Sequence, residues 1–180
     1  MKNVLVITTS LRGNSNSDIF ANKAVEGIKD AGNAVEIVSL KGKTIKFCIG
    51  CLSCANTGEC VLKDDAKEII TKIKNADSIV FVTPIYYYEM SGQLKTLLDR
   101  CNPLYGRDYN FRNIYLVMTA ADTADFTPER AIHGIGGWVE CFEEAKLVDT
   151  IFLGGNSDPG DAKKHSEQLD QAYNFGKNIR

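Results

Sequence analysis

Four cysteines fall close together as Cys48-x2-Cys51-x2-Cys54-x5-Cys60, on a loop that also carries Gly50 and Gly58. Thiols at this spacing have three uses. One loop can fold around a [4Fe–4S] cubane. The same four thiolates can hold a structural zinc ion. Or the side chains stay unliganded and pack as small hydrophobes.

A second stretch, Ser10 to Ser17, gathers Ser10, Arg12, Asn14, Ser15, Asn16 and Ser17 between an apolar run and a helical pattern. Free backbone N–H groups and the helix dipole at such a junction attract an anion. The loop matches neither G-x-x-x-x-G-K-[ST] nor G-x-G-x-x-G, which argues against a nucleoside triphosphate or a dinucleotide gripped by its pyrophosphate. A single phosphate monoester, held by hydroxyls and amides, suits it better. The plainer alternative is an N-cap cluster with Ser17 or Asp18 as the cap.

The third stretch is Thr83-Pro84-Ile85-Tyr86-Tyr87-Tyr88-Glu89-Met90-Ser91-Gly92-Gln93-Leu94-Lys95. Proline stiffens it, Gly92 permits close backbone approach, and tyrosines can cover a flat ring while keeping a polar tip. Its composition suits a flat, electron-accepting ring.

These stretches need a scaffold, and the hydrophobic pattern supplies one. Val4–Thr8, Ala34–Leu40, Ser78–Val82, Asn113–Thr119 and Val148–Leu153 read as strands. Helices are expected over about 18–31, over about ten residues from Asp64, from Leu94 to Arg100, from near Pro128 to Ala145 with interruptions at Gly134, Gly136 and Gly137, and over about 161–179. Strands alternating with helices imply a mostly parallel sheet covered on both faces. Five strands suit a flavodoxin-like α/β three-layer sandwich, order 2-1-3-4-5, with a ligand site where that order reverses. Residues 1–180 read as one domain, with 41–63 as a cysteine-containing insertion loop.

Hydrophobic content of 44% and charged content of 24% are ordinary for a globular chain. The net charge of −2, without blocks of one sign, gives no reason to expect nucleic acid or an anionic membrane as partner. No apolar run approaches a membrane span or a secretory h-region. A cytoplasmic setting is expected, and with it reduced thiols. Cys101 and Cys141 lack partners by spacing, and His133 and His165 lie far apart, so none is assigned chemistry. Asp64 and Asp65 read as helix capping.

The Ser10–Ser17 loop, the Cys48-Ile49-Gly50-Cys51 segment, and Pro84-Ile85-Tyr86 leading to Met90-Ser91-Gly92-Gln93-Leu94-Lys95 together resemble the flavodoxin-like NAD(P)H-dependent FMN oxidoreductases. Within that group the chain is most similar to the iron–sulfur flavoproteins. The likeness covers nearly the whole chain, including Asp158-Pro159-Gly160-Asp161 before the last helix. It implies that Ser10, Arg12, Asn14, Ser15, Asn16 and Ser17 hold the FMN phosphate. It implies that Pro84, Ile85, Tyr86, Tyr87, Met90, Ser91 and Gly92 run along the isoalloxazine edge, with Thr119, Ala120 and Asp122 on a third loop. One departure stands out: many members carry proline after the first serine, where this chain has Leu11, a change of loop stiffness more than of ligand.

The function implied is hydride transfer from NAD(P)H to FMN and on to a small-molecule acceptor such as a quinone, flavin, nitro or azo compound. No side chain is then needed as acid or base, because the chemistry is the cofactor's. The alternative is an electron carrier linking FMN, a [4Fe–4S] cluster on Cys48, Cys51, Cys54 and Cys60, and a redox protein such as ferredoxin. A zinc-stapled or cofactor-free interaction domain is the third reading. Members commonly assemble as homodimers or dimers of dimers, and Trp138 and the tyrosines are candidates for that surface.

Overall fold

A computed structural model describes residues 1–180. The chain alternates β1 (Asn3–Thr8), α1 (Asn16–Asp30), β2 (Ala34–Ser39), α2 (Ser53–Thr57), α3 (Ala66–Asn75), β3 (Ser78–Tyr86), β4 (Glu89–Met90), α4 (Gly92–Arg100), β5 (Asn113–Thr119), α5 (Glu129–Val139), β6 (Lys146–Leu153) and α6 (Ser166–Lys177). Two short 3₁₀ turns, Asn102–Leu104 and Asp161–Lys164, complete it. The sheet runs β2-β1-β3-β5-β6, all parallel, and β4 pairs antiparallel with the end of β3. The five main strands therefore follow the expected order. β4 is an addition that the sequence reading lacked.

Alternation along each strand feeds two cores. Leu5, Ile7, Ile79, Phe81, Ile114, Leu116 and Met118 face one side, where α3, α4 and α5 pack. Val4, Val6, Val80, Val82, Tyr115 and Val117 face the other, covered by α1 and α6. Strands buried on both faces are why these runs read as continuous apolar segments. Trp138, a candidate for a subunit surface, is half-buried beside Phe81, Phe111 and Phe142.

α1 and α6 touch through glycine. A Cβ on Gly27 would fall on the Tyr173 carbonyl oxygen, and one on Gly176 on that of Ala24. Tyr173 Oη donates to Asp30 Oδ2 at 2.8 Å, and Asn33 Nδ2 donates to the Ile179 carbonyl at 3.2 Å.

Three boundaries differ from the sequence reading by four residues or more. β3 continues past Val82 to Tyr86, because Thr83 and Pro84 still pair with Met118 and Thr119. α5 is unbroken but stops at Val139. Its Gly134 is there for proximity, since a Cβ would press on Met90 and Glu89. The final helix begins only at Ser166, after a separate 3₁₀ turn. No helix is long and apolar enough to cross a membrane.

Candidate functional site

β1 connects first to β2 on one side, and the chain then crosses to β3 on the other, so the strand order reverses between β1 and β3. Ligands of open α/β sheets bind outside the carboxyl ends of the strands at that point. A cleft of about 180 Å³ lies there. It brings together Ser10, Arg12, Ser15, Asn16 and Ser17 from the loop after β1, Pro84, Ile85 and Tyr86 from the end of β3, and Thr119 and Ala120 from the end of β5. Ala121, Asn156 and Ser157 complete the lining. A larger groove of about 430 Å³ sits at the opposite ends of β1 and β2, where its charged residues Glu36 and Lys72 pair with each other.

The first loop is shaped by its own side chains. Ser15 is the N-cap of α1, and its hydroxyl accepts from the Asp18 N–H at 3.3 Å. The N–H groups of Asn16 and Ser17, in the first turn, have no carbonyl of their own helix to bond. Ser10 Oγ accepts from the Arg12 N–H at 3.3 Å. Asn14 turns the chain in a left-handed conformation, φ 49°. Its amide lies over Gly160, itself at φ 89°, so a side chain at Gly160 would be both strained and blocked. Ser15, not Ser17 or Asp18, is therefore the cap. Burial holds the Asp18 carboxyl above its ordinary value, opposed by Thr8 and Lys41.

Asn16 fastens this loop to the segment after β6. Its Nδ2 donates to the carbonyls of Asn156 at 3.1 Å and Asp158 at 2.9 Å. Its Oδ1 accepts from the N–H groups of Gly160 and Ala162, both at 3.1 Å. Arg12 Nη1 donates to the Ser157 carbonyl at 2.7 Å. Ser17 Oγ and Thr119 Oγ1, 2.7 Å apart, join the first loop to the third. Asn156 and Ser157 were absent from the sequence reading. The signal available was a turn-rich stretch, Gly154 to Gly160, at the carboxyl end of the last strand.

Tyr87, Met90, Ser91, Gly92 and Asp122, also expected along the ring, are not among the residues that line this cleft. Ser91 is fully buried, caps α4, and hydrogen-bonds Thr9 at 2.9 Å and Thr83 at 3.2 Å. Met90 is buried in the core. Both support the loop from beneath. Gly92 lines a separate groove with Leu11 and Phe47. Asp122 closes a turn by accepting from Thr127 and from the Ala124 N–H, which hold its carboxyl below its ordinary value. Tyr87 stands 99% exposed at the tip of the β3–β4 hairpin. Tyr87 and Tyr88 both have positive φ, 51° and 67°, the pair of angles a type I′ turn requires. Tyr88 packs on Phe126 with ring centres 5.7 Å apart.

The donor set suits a phosphate monoester. The cleft lining includes hydroxyls, amides and the Arg12 guanidinium, with no aspartate or glutamate. It abuts the N-terminus of a fifteen-residue helix.

The cysteines occupy a different face. Cys48, Cys51, Cys54 and Cys60 line one small cavity with Arg100, Asn102 and Pro103. Gly50 and Leu52 adopt left-handed conformations and bend the loop around it. Asn102 Nδ2 donates to Cys54 Sγ at 3.0 Å. Asp99, the one carboxylate in the lining, is engaged by Lys95 at 2.6 Å. No three His, Cys, Asp or Glu side chains close around a single point. A lone zinc ion needs four sulfurs each ~2.3 Å from one centre. Four thiols on one cavity wall are a donor set of the chemistry that both zinc and iron–sulfur clusters take. Cys101 is buried elsewhere in the core, and burial pushes its thiol up to about 12.

Comparison with known proteins agrees with this architecture. Residues 2–127 match the model of the NADPH-dependent FMN reductase family. An iron–sulfur flavoprotein of Methanocaldococcus jannaschii is 30% identical over 98% of this chain and 94% of its own. One from Methanosarcina thermophila is 26% identical over 83% of this chain and 78% of its own. An NAD(P)H:quinone oxidoreductase from Methanothermobacter marburgensis superposes with a TM-score of 0.80 at 20% identity, covering 98% of this chain and 95% of that one. An FMN-dependent NADH-azoreductase from Bacillus anthracis, solved with FMN, gives a TM-score of 0.69 at 16% identity over 98% of this chain and 96% of its own. Fold, cleft and family model define a class, the flavodoxin-like FMN oxidoreductases. The chain belongs to the NADPH-dependent FMN reductase family, and its curated relatives are largely iron–sulfur flavoproteins.

Proposed function

We propose that this protein binds FMN in the cleft at the carboxyl end of the sheet and passes a hydride, two electrons with one proton, from NAD(P)H through it to a small-molecule acceptor. One observation carries the reading: three loops from β1, β3 and β5 meet at the topological switch, with a carboxylate-free, helix-capped wall for phosphate. Bound FMN supplies the hydride and electron chemistry that these side chains lack. Ser10, Ser15, Asn16, Ser17 and Arg12 hold the phosphate by hydroxyls, amides and charge. Pro84, Ile85 and Tyr86 flank the ring on one side, and Thr119 and Ala120 on the other. The Asn16 and Arg12 bonds to residues 156–158 keep the phosphate wall closed.

A second reading has its own support. The four clustered cysteines share one cavity, and the curated relatives named above are iron–sulfur flavoproteins. On this reading Cys48, Cys51, Cys54 and Cys60 hold a [4Fe–4S] cluster, which supplies one-electron exchange with a redox protein. A cytoplasmic location suits exposed thiols such as Cys48 and Cys51. Exposed Tyr86, Tyr87 and Phe126 beside the cleft suit a homodimer that covers it.

The test is the visible spectrum of protein purified without oxygen, with iron and sulfide assayed together and the flavin then mixed with NADPH, NADH or reduced ferredoxin. Flavin bands bleached rapidly by a nicotinamide support the oxidoreductase. Flavin reduced only by ferredoxin, with about four irons and four sulfides per chain, supports the carrier. Colourless protein that takes up no FMN refutes both.

A further inference from the structure

The Arg100 and Asp64 side chains are 0% and 1% exposed and meet at 2.6 Å. A buried pair is costly unless its remaining polar atoms are used. Here most are. Arg100 Nη1 donates to Asp64 Oδ2 at 2.6 Å and to the Lys46 carbonyl at 2.8 Å, while Nη2 donates to Asp64 Oδ1 at 3.0 Å. Asp64 also accepts from the N–H groups of Lys46 at 2.9 Å and Ala66 at 3.1 Å. Arg100 Nη2 also reaches the Leu62 carbonyl at 3.5 Å. Lys46 lies two residues before Cys48, and Leu62 two after Cys60. The pair therefore closes the base of the loop that carries all four cysteines. One donor is left over: Arg100 Nε is buried with no hydrogen-bond partner. A spare N–H on a buried cation is exceptional and calls for an acceptor. Arg100 lines the same cavity as Cys60.

We propose that Arg100 is the positioning residue of the cysteine site: its guanidinium fixes both ends of the loop and directs Nε–H at the Cys60 sulfur, as Asn102 directs its amide at Cys54. The proposal rests on the reading that these cysteines carry a [4Fe–4S] cluster. N–H groups aimed at the sulfurs favour the more negative, reduced cluster and so raise its potential. A clamp with a purely structural role would leave that potential where it is.

The experiment compares wild-type and Arg100→Lys protein, full-length and purified without oxygen. Iron and sulfide are assayed, and the cluster is titrated by electron paramagnetic resonance. Lysine keeps a cation opposite Asp64 but loses the fork and Nε–H. The expected variant keeps its FMN, loses most of its iron, and shows a midpoint for the residual cluster lowered by at least ~59 mV, tenfold in a one-electron equilibrium. If that variant does not fold, Arg100→Gln with Asp64→Asn removes both buried charges together and is judged by the same two readouts. A folded variant with wild-type iron content and potential overturns the proposal. Failure of both to fold makes the pair a support of the fold alone and overturns it equally. Wild-type protein without iron and sulfide refutes the cluster reading itself, and that result needs no variant.

Discussion

Replacing Asn16 separates the structural wall of the cleft from its chemistry. The side chain is 6% exposed and makes four hydrogen bonds of 2.9 to 3.1 Å to the 156–162 segment. A typical intramolecular hydrogen bond is worth about 1 kcal/mol net, and a buried group left unpaired costs more. The Asp158 end is part-buried, so water can repair some of the loss. Asn16→Ala should therefore cost about 3 kcal/mol. For a chain of this length that lowers the melting temperature by roughly 6–12 °C. Asn16→Asp should be at least as severe. A carboxylate still accepts from Gly160 and Ala162, but it faces the Asn156 and Asp158 carbonyls with no hydrogen to offer. Urea denaturation of both variants, followed by titration with FMN, measures stability and affinity separately. Stability within about 0.5 kcal/mol of wild type, the range of an ordinary surface change, would refute the reasoning. So would Asn16→Asp matching wild type.

Ser17→Glu places a carboxylate against Thr119 in the phosphate wall, and the purified protein should carry no flavin; a stoichiometric visible flavin band would remove residues 10–17 from the binding site. Gly27→Ala drives a methyl group into the Tyr173 carbonyl, and overpacking of this kind should cost about 3 kcal/mol, read as a fall in urea midpoint at unchanged slope. At Asp64, burial favours the neutral acid, but hydrogen bonds from Arg100, Lys46 and Ala66 prevail and hold the carboxyl below its ordinary value of 3.8. The stability it contributes is thus complete above pH 3.8 and lost as pH falls through the lower folded value. Asp64→Asn should remove that acid limb, so the gap between variant and wild type in urea titrations narrows below pH 3.8 and is constant above it.

The scaffold was legible because β1, β3 and β5 are buried on both faces and leave unbroken apolar runs. Serine and asparagine ahead of α1, and proline after an apolar run, marked two of the three cleft loops for the same local reason. What escaped was non-local. Asp64 does accept from the first N–H of α3, as Asp-Asp before a helix suggests, but nothing near it in sequence announces Arg100. Asn156 joins the cleft through Asn16, at a separation of 140 residues, and through Ala120, whose carbonyl accepts its N–H at 2.9 Å. β4 escaped because its turn uses Tyr87 and Tyr88, where glycine or asparagine would have given the hairpin away. Glycine in α5 suggested breaks, whereas Gly134 is small to admit Met90 and Glu89.

The glycine contact between α1 and α6 has a mechanical consequence. With Gly27 and Gly176 against opposing carbonyls, the two backbones lie so close that no side chain fits between them. α1 carries the loop after β1 at its start, and α6 follows the segment that Asn16 grips. Both sides of the loop proposed to hold the phosphate are then anchored on one tightly packed helix pair. Movement of the cleft is therefore expected on the other side, where the β3–β4 hairpin rests on a two-residue turn at positive φ. The anion end behaves as an anvil and the tyrosine end as the moving jaw, so ligands that differ only in the ring should differ in exchange rate far more than in how the phosphate is seated.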